Sequence, residues 1–499
     1  MMNTLFKKLI SVPFMMGLLL QITCAAQAQM IMTLENAMDV AIKNSPEILK
    51  SELNMTISEE NLKAQEAATK SLIRFQLTPL FYDQTRAFNS LFSTWNTTTT
   101  KRISGDLTLS QPIKLTDGRI TLTNQFSYQD AYSDYSDSRS KGYSNYLFLN
   151  FSQPIFTYNR LKMTLNQLRL SLENATLSYA IQRLYLERQV TQYFYMVYQR
   201  KMSLAIAEDE LKNQQTGYEI IKSKVDGGLS AKDELLQAEL NLATSRSGLQ
   251  NAQMNLENAK DDFKQYIGMP LSEDFDIETN IEFQEVPVDI GKAIENGLST
   301  RMELRQREIG IINSRDQLTV AKATNEFAGN VDLSIGLFGE DPQLSDIYQK
   351  PTRSPEVALR FNVPIWDWGE RKARIKAAEA AIHIEEINLA TERTNVELAI
   401  RQTYRSLQNL VLQVEIERQN EINAQQTYEI NLERYKNGDL TSIDLSRFQN
   451  QLSEKKMNLA NSLISYKLEL LNMKIQSLWD FENNISFVPE ALQENLLHE

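Results

Sequence analysis

Side chains suited to catalysis or metal binding are scarce in this sequence. It has two histidines, His383 and His498, and one cysteine, Cys24. Neither histidine has another histidine or a cysteine at metal-ligand spacing, and there is no Gly-Lys-Ser/Thr phosphate loop and no Gly-x-Ser-x-Gly elbow. Carboxylates are plentiful, but on helix faces they are usually solvated. We therefore expect no enzyme, no cofactor and no metal site.

The first 28 residues have the three regions of a secretory signal peptide. Lys7 and Lys8 form a basic region, an apolar stretch of about a dozen residues follows, and Ala-Gln-Ala at 26–28 is a small-x-small cleavage site. The apolar stretch is too short for a membrane-spanning helix, which needs about 20 residues. Lipid attachment at Cys24 is the alternative, although the three residues before it match a lipobox poorly. Cleavage at 28 would leave a mature chain without cysteine, and so without disulfides or thiolate metal sites.

Net charge and hydropathy further restrict the classes of protein to which this sequence can belong. Removing Lys7 and Lys8 from the 52 basic residues leaves 50 against 64 acidic ones, a net charge of −14. This balance argues against nucleic acid as a partner. After the signal there is no apolar run of about 18 residues. Such an exported protein is periplasmic, extracellular or a β-barrel of an outer membrane.

The sequence repeats one plan twice. With an offset of 210 residues, Gln153-Pro154-Ile155-Phe156 aligns with Val363-Pro364-Ile365-Trp366, and Gly228 aligns with Gly438. This offset stays constant over roughly 100 residues, which indicates an internal repeat. Upstream of the proline motif the offset becomes 256, so the first copy carries about 46 additional residues there.

Each copy is predicted to contain a helix, strands, a long helix, a turn and a further helix. The first helices are expected at about 33–72 and 288–324. The long helices, 159–226 and 369–436, contain no proline, so each could extend for about 100 Å at 1.5 Å per residue. From Leu235 onwards, apolar residues alternate at spacings of three and four, which predicts helices packed side by side.

Between the helices, apolar and polar residues alternate with a period of two. The pattern fits strands between lipid and water, although a half-buried strand of a soluble sheet would look the same. Two strands per copy give four per chain, too few for a barrel, so several chains must pool their strands. In the additional residues, 107–113 and 119–128 predict strands around a turn, followed by a polar loop at 132–141. We expect this region at the extracellular end, where it lengthens the barrel rim or adds strands.

The order of these features resembles the TolC-type outer-membrane efflux protein family, also called outer membrane factors. The likeness rests on the twofold plan, on the strand ends at Pro154 and Pro364, and on the helix turns at Gly228 and Gly438. The segment from Leu34 to Glu47 is also similar to the N-terminal helix of that family. The likeness covers essentially the whole mature chain.

This resemblance implies an α+β membrane protein that works as a homotrimer. An outer-membrane β-barrel with about four strands per chain would continue into a periplasmic α-helical coiled-coil barrel that is closed at its inner tip. The implied boundaries are signal peptide 1–28, first repeat 29–270, equatorial linker 271–287, second repeat 288–477 and C-terminal equatorial segment 478–499.

The function implied by the resemblance is that of a passive exit duct in a tripartite export system. The duct would lie in the outer membrane with a large periplasmic part, and it would dock onto a periplasmic adaptor and an inner-membrane pump of the RND or ABC type. The pump would supply the energy and select small molecules or proteins. Two alternatives stay open, a duct dedicated to type I protein secretion and a periplasmic coiled-coil scaffold or adaptor without a barrel.

The resemblance also assigns the tip of the tunnel. In the family, acidic residues six positions after each turn glycine face the pore, and a tyrosine three positions before it helps to close the aperture. These positions hold Glu234, Asp444 and Tyr435. Arg447 stands where the family has a second aspartate. We therefore expect a mixed network at the aperture, in which Arg447 pairs with an acidic residue and Tyr435 bonds to Glu234 of the neighbouring hairpin.

Overall fold

The computed structural model describes residues 30–277, 283–437 and 439–488. The predicted signal peptide with Cys24, the turn residue Gly438 and His498 lie outside the described residues, as do parts of both predicted equatorial segments.

The described elements follow one order in each half of the chain: two short helices, strands, a long helix and a shorter helix. The first half contains β1 (Met30–Met32), α1 (Leu34–Asn44), α2 (Pro46–Ala68), β2 (Leu72–Asn89), β3 (Thr94–Ile113), β4 (Gly118–Ser133), β5 (Ser138–Ile155), α3 (Arg160–Asp226), α4 (Lys232–Ile267) and β6 (Phe275–Ile277). The second half contains α5 (Ile290–Thr300), α6 (Met302–Ala323), β7 (Ala328–Asp341), β8 (Thr352–Asn362), α7 (Glu370–Asn437), α8 (Ser442–Ser477), β9 (Trp479–Asp480) and β10 (Ile485–Ser486).

The two long helices are continuous, as the sequence predicts. Helix α3 has 67 residues and α7 has 68, so each is roughly 100 Å long. Helix α3 begins after Asn159, whose side chain accepts a hydrogen bond of 2.8 Å from the Lys162 amide and thereby caps the first turn. Within the described ranges, no helix is both long and apolar enough to cross a bilayer.

The prediction of one helix at the start of each copy is wrong, because each of these helices is divided in two. Ser45 between α1 and α2 has φ −62° and ψ 124°, and Arg301 between α5 and α6 has φ −64° and ψ 123°. The first break has a local cause, since a residue before proline disfavours the helical conformation and Pro46 follows Ser45. The second break has no proline. There the Arg301 guanidinium binds Glu303 and Gln476.

The hydrophobic core is spread along the helices rather than gathered in one place. Helix α3 packs along α4, and α7 packs along α8, with separate clusters of buried side chains at successive levels. One cluster joins Phe194 and Phe263 to Phe275 of β6, and another joins Ile400 to Met473. The two long helices are therefore stabilised by packing against a neighbour at several levels along their length.

The predicted equatorial segments lie against the sides of the helices. Strand β6 pairs in parallel with β1, and β9 pairs with β10. The buried hydroxyl of Tyr466 in α8 donates to the Gln284 carbonyl and accepts from the Val286 amide, both at 3.0 Å. These bonds fasten the first segment to the second-half helices.

The six longer strands form one antiparallel sheet in the order β2-β3-β4-β5-β7-β8. The prediction of about four strands per chain is therefore wrong, since the described chain has six in this sheet. The additional residues of the first half extend the sheet by a complete hairpin, β2–β3, instead of lengthening a loop. The polar stretch at 132–141 comprises the short turn between β4 and β5 together with the adjoining ends of these two strands.

Candidate functional site

The turn between α3 and α4 has the geometry of a Schellman motif. Gly228 has φ +71°, a conformation that favours glycine. The Gly228 amide donates to the Val225 carbonyl at 3.0 Å, and the Leu229 amide donates to the Lys224 carbonyl at 2.7 Å. No atom lies within 4 Å of a Cβ added at Gly228, so the backbone conformation alone requires glycine there.

The turn between α7 and α8 has an equivalent bond. The Asp439 amide donates to the Arg434 carbonyl at 2.9 Å, and these residues lie 210 positions after Leu229 and Lys224. Gly438 itself is outside the described residues. The matching bond nevertheless shows that both tips reverse direction in a similar way.

The two acidic residues assigned to the aperture lie in the first turns of α4 and α8. Glu234 accepts a hydrogen bond from the Ser230 hydroxyl, which precedes the helix. Asp444 accepts one from the Thr441 hydroxyl at 2.7 Å, and the Asp444 amide donates back to that hydroxyl at 3.2 Å. Carboxylates at helix N-termini are stabilised by the helix dipole. Both side chains are therefore held by local hydrogen bonds at the tips of the two hairpins.

Tyr435 is buried between the two helical hairpins, with 3% of its surface exposed. Its hydroxyl donates to the Gly217 carbonyl of α3 at 3.4 Å, and the Lys224 ammonium lies 5.4 Å from its ring centre. Burial, followed by the nearby charge of Glu234, raises the pKa of this phenol above its ordinary value. Within one chain, Tyr435 therefore joins the two hairpins by ring packing and by a long bond to backbone, with Glu234 nearby.

Arg447 is exposed on α8, and the described contacts of this chain include no ion pair between it and Asp444. A cleft of about 530 Å³ separates the two tips. Glu234, Tyr435 and Asp444 line it together with two lysines, Lys224 and Lys436. The structure thus brings three of the four assigned aperture residues to one cleft and leaves the fourth on the outer surface of α8.

The two proline motifs lie where strands meet the long helices. Pro154 pairs with Asn330 near the end of β5, and Pro364 lies in the link between β8 and α7. The Gln153 amide donates to the Pro154 carbonyl and to the Thr116 carbonyl, both at 2.7 Å. This side chain ties the strand end to the neighbouring turn.

A second copy of this motif lies in the added hairpin, outside the repeat at an offset of 210. Ser-Gln-Pro-Ile occurs at 110–113 and again at 152–155, an offset of 42. Gln111 also donates to the carbonyl of the following proline, at 2.7 Å, and to a neighbouring backbone carbonyl, that of Thr69, at 3.2 Å. A search for repeats shorter than one half of the chain would have found this signal.

The two faces of the sheet differ sharply in polarity. Side chains of consecutive residues point to opposite faces, so each row of paired residues across the sheet belongs to one face. One row is apolar: Ile73, Leu109, Leu122, Leu149, Ile335 and Pro355. The adjacent row on the other face is polar apart from Leu72 at its edge: Leu72, Ser110, Thr121, Asn150, Ser334 and Glu356. The isoleucine and leucine side chains of the apolar row are solvent-exposed within one chain, as expected of a surface that faces lipid.

Aromatic side chains flank the apolar rows at both ends of the sheet. At the end that joins the long helices, the Phe327 ring stacks on Phe361 at 5.5 Å between ring centres and contacts Phe156 in a tilted arrangement at 5.3 Å. At the opposite end, Tyr128 and Tyr143 are 5.0 Å apart. Two such bands mark the polar boundaries of a membrane in outer-membrane proteins.

Among the described residues, no group of three His, Cys, Asp or Glu side chains is arranged to hold a metal ion. The features that remain are a two-faced sheet with aromatic borders, two helices of roughly 100 Å, and a charged cleft at the far tip. Together they define the class of membrane channels that continue into a helical duct.

The model of the outer membrane efflux protein family matches residues 118–269 and 293–473, and the chain belongs to this family. The resemblance predicted from the sequence and the location in the outer membrane are thereby confirmed. The family is one of efflux proteins and not a class of enzymes. The first matched segment begins at Gly118, the first residue of β4, so the hairpin β2–β3 lies outside the matched segments.

One curated relative and several solved structures are similar. Nodulation protein T of Rhizobium leguminosarum bv. trifolii is 22% identical over 280 residues, which cover 53% of this chain and 56% of the relative. The match thus spans little more than half the length of that protein.

Three structures of outer-membrane proteins share the fold over most of both chains. The CmeC outer membrane channel of Campylobacter jejuni has a TM-score of 0.69 at 16% identity, covering 93% of this chain and 88% of its own. The VceC outer membrane protein of Vibrio cholerae has a TM-score of 0.65 at 13% identity, covering 89% and 96%. The open-state MtrE channel of Neisseria gonorrhoeae has a TM-score of 0.63 at 12% identity, covering 89% and 88%.

Proposed function

We propose that three copies of this chain form a passive export duct across the outer membrane and the periplasm. The observation that carries the proposal is the two-faced sheet, which continues directly into helices long enough to line a periplasmic tunnel. In a tripartite system the duct would receive substrate from a periplasmic adaptor and an inner-membrane pump of the RND or ABC type. The chain itself would provide only the passage.

The edges of the sheet support closure between copies. Strands β2 and β8 are the two outer strands of the described sheet, and exposed edges of this length favour pairing with another chain. Because the sheet has six antiparallel strands, β8 of one copy runs antiparallel to β2 of the next. Three copies would therefore close an eighteen-stranded barrel with the apolar face towards lipid. Barrels of 16–18 strands leave an aqueous channel.

The matched element order of the two halves supports an internal twofold repeat. In the duct, each half would contribute one long helix, one shorter helix and the stacked pair of short helices to the tunnel wall. The side-by-side packing of α3 with α4 and of α7 with α8 supports this arrangement. The charged tips would meet at the axis.

The aperture would be formed by three copies of Glu234, Asp444 and Tyr435, with Gly228 and Gly438 at the turns. Like charges placed a few ångströms apart repel one another even in water. Because Arg447 is exposed, it is available to pair with a carboxylate of a neighbouring copy. Such pairs between copies would offset the repulsion and hold the tip closed.

Small-molecule efflux is favoured over a dedicated protein secretion duct, because the family model that matches is one of efflux proteins. A periplasmic scaffold without a barrel leaves the exposed apolar row of the sheet without a role. That row would be costly in water, at about 25 cal/mol for each square ångström of apolar surface.

The proposal is tested on outer-membrane fractions of cells that express the full chain. Without heating, we expect an oligomer of three copies that resists SDS, and after heating a chain that migrates faster than the oligomer. The purified oligomer should form ion-conducting pores in planar bilayers. A monomer recovered from the periplasmic fraction, with no conductance, would contradict the proposal.

A further inference from the structure

We propose that Lys101, Arg139 and Lys141, arranged around Asp130 at the outer end of the sheet, bind the phosphate groups of a phosphorylated lipid in the outer leaflet. We call these four residues the outer basic patch. This inference rests on the proposed function, because it requires the apolar face of the sheet to contact lipid.

The patch lies on the apolar face of the sheet. Lys101 of β3 pairs with Asp130 of β4, and Asp130 pairs with Lys141 of β5, so the three side chains form one row across three strands. Arg139 precedes Lys141 by two residues in β5 and therefore lies on the same face. This face is the one that carries Leu109, because Lys101 and Leu109 are an even number of residues apart on β3.

Asp130 holds the patch together. The Arg139 guanidinium binds both oxygens of the Asp130 carboxylate, and the Lys141 ammonium lies 3.9 Å from it. The Asp130 side chain is only 13% exposed, whereas those of Arg139 and Lys141 are 57% and 52% exposed. The anion is therefore covered and the cations are presented to the surroundings, with two positive charges in excess over Asp130.

The two acidic residues of the adjoining turn are occupied by other donors. Asp134 accepts from the Thr97 amide at 2.6 Å, and Asp137 accepts from the Tyr132 hydroxyl at 2.9 Å. Neither is therefore the partner of Lys101. In the described part of the chain no salt bridge of Lys101 is formed, so its charge is available to a ligand.

The position of the patch matches the level of lipid headgroups. Tyr128 and Tyr143 lie directly next to it on the same face, between the patch and the apolar rows. From Ile120, on the same face near the start of β4, to Asp130 there are ten residues, or about 33 Å along the strand. With a strand tilt of about 40°, this corresponds to a height of about 25 Å, the height of the apolar band in outer-membrane barrels.

The chemistry favours a lipid over a soluble anion. Ammonium and guanidinium groups bind phosphate oxygens strongly when they converge on one site. A free phosphate would use only these charges, whereas a phosphorylated lipid would also lay its acyl chains along the exposed apolar rows below. The amphipathic tyrosines between them fit the boundary of headgroup and hydrocarbon.

The test uses the full chain, delipidated in detergent as the intact oligomer and analysed by native mass spectrometry. The probes are bisphosphorylated lipid A, the same lipid without its phosphates, and inorganic phosphate. We expect the bisphosphorylated lipid to be retained most strongly, and Lys101→Gln with Lys141→Gln to weaken its binding by about tenfold or more. The control, Lys70→Gln with Lys114→Gln, removes the same charge from the other end of the sheet and should bind as the parent protein does.

If the double variant fails to assemble, lipid binding is measured on each single variant, Lys101→Gln and Lys141→Gln. Equal retention of the dephosphorylated lipid, equal loss in the control variant, or full competition by inorganic phosphate would overturn the proposal. Pore formation is measured on the same samples. If the parent protein forms no pores, the proposed function fails; if the pores are normal and the variants bind lipid unchanged, only the lipid site fails.

Discussion

The helices of the two halves of the chain match closely in length, whereas their strands do not. Helices α1 and α5 both have 11 residues, α2 and α6 have 23 and 22, α3 and α7 have 67 and 68, and α4 and α8 both have 36. The first half has four strands in the large sheet and the second half has two.

This difference indicates where the architecture tolerates change. When a helix that is packed along its whole length gains a residue, every later contact moves out of register. Corresponding helices of the two halves therefore keep nearly the same length. A β-hairpin adds two antiparallel strands and returns the chain to the end of the sheet where it began. The hairpin β2–β3 could therefore be added beside β4 without moving α3.

The largest effect is expected from breaking the long helices at matching positions. Leu186 of α3 and Val396 of α7 are 210 residues apart, and both are buried. An interior proline costs a helix about 3 kcal/mol or more, so Leu186→Pro and Val396→Pro should each abolish assembly of the oligomer, as measured by size-exclusion chromatography. In the control, Lys232→Pro, proline stands at the first residue of α4, after an extended Ala231, and should be tolerated. Assembly of either interior variant would show that helix continuity is not required.

Deleting the added hairpin should leave assembly intact and narrow the pore. Removal of residues 72–113 takes out β2 and β3 and leaves four strands per chain, so three copies would close a barrel of twelve. We expect a lower conductance than that of the parent protein when both are measured with the tip opened by the Tyr435→Val change described below. Equal conductance of assembled pores would mean that β2 and β3 do not line the channel.

The ion pairs beside the helices should differ in strength between the halves. Lys474–Asp480 is nearly buried, with side chains 16% and 7% exposed at 2.8 Å, whereas Lys201–Asp276 is 29% and 39% exposed at 2.6 Å. Asp480→Asn should lower the free energy of unfolding by about 3 kcal/mol, because it leaves a buried ammonium with less compensation. Asp276→Asn should cost less than about 1 kcal/mol. Denaturant unfolding measures both, and equal losses would contradict this assignment.

The same pair predicts a dependence on pH. Burial alone would raise the pKa of Asp480, but hydrogen bonds from Lys474 and Asn483 outweigh it and lower the pKa below the ordinary 3.8. Stability from this group is therefore present above about pH 4 and is lost as the pH falls through the lower, folded value. In the Asp480→Asn variant, the loss of stability that protonation of Asp480 causes at low pH should be absent.

The smallest effect is expected at the tips, where the buried ring of Tyr435 has no equivalent in the first half. Tyr435 of α7 corresponds to Val225 of α3 at the offset of 210. Tyr435→Val should raise the single-channel conductance, because a ring that joins the two hairpins is lost. Tyr435→Phe should have little effect, since the bond to Gly217 is long, at 3.4 Å. If Phe and Val raise the conductance equally, the hydroxyl rather than the ring holds the tip.

The long helices and the turn at Gly228 could be predicted because their signals are local. Absence of proline, apolar periodicity and a glycine after the last turn act within a few residues. The break at Ser45 also has a local signal, Pro46, which the prediction of a single helix over 33–72 did not take into account. The matching break at Arg301 was not visible, because no proline follows it and its contact residue Gln476 is 175 residues away in the sequence.

The strand count and the bonds of Tyr435 were harder to predict. In β2 the alternation is interrupted by an irregularity between Thr78 and Phe81, so its apolar residues do not keep a period of two along the strand. The partner of Tyr435, Gly217, is 218 residues away in the sequence. A contact of this kind depends on how the hairpins pack, and no local pattern records it.

The central claim is that six strands from each of three chains close one barrel. Electron cryomicroscopy of the purified oligomer in lipid nanodiscs tests it most directly, because it counts both copies and strands. The account predicts three copies and eighteen strands, with β8 of each copy paired to β2 of the next. A twelve-stranded barrel with β2 and β3 outside the wall, or a sheet closed within one chain, would contradict it.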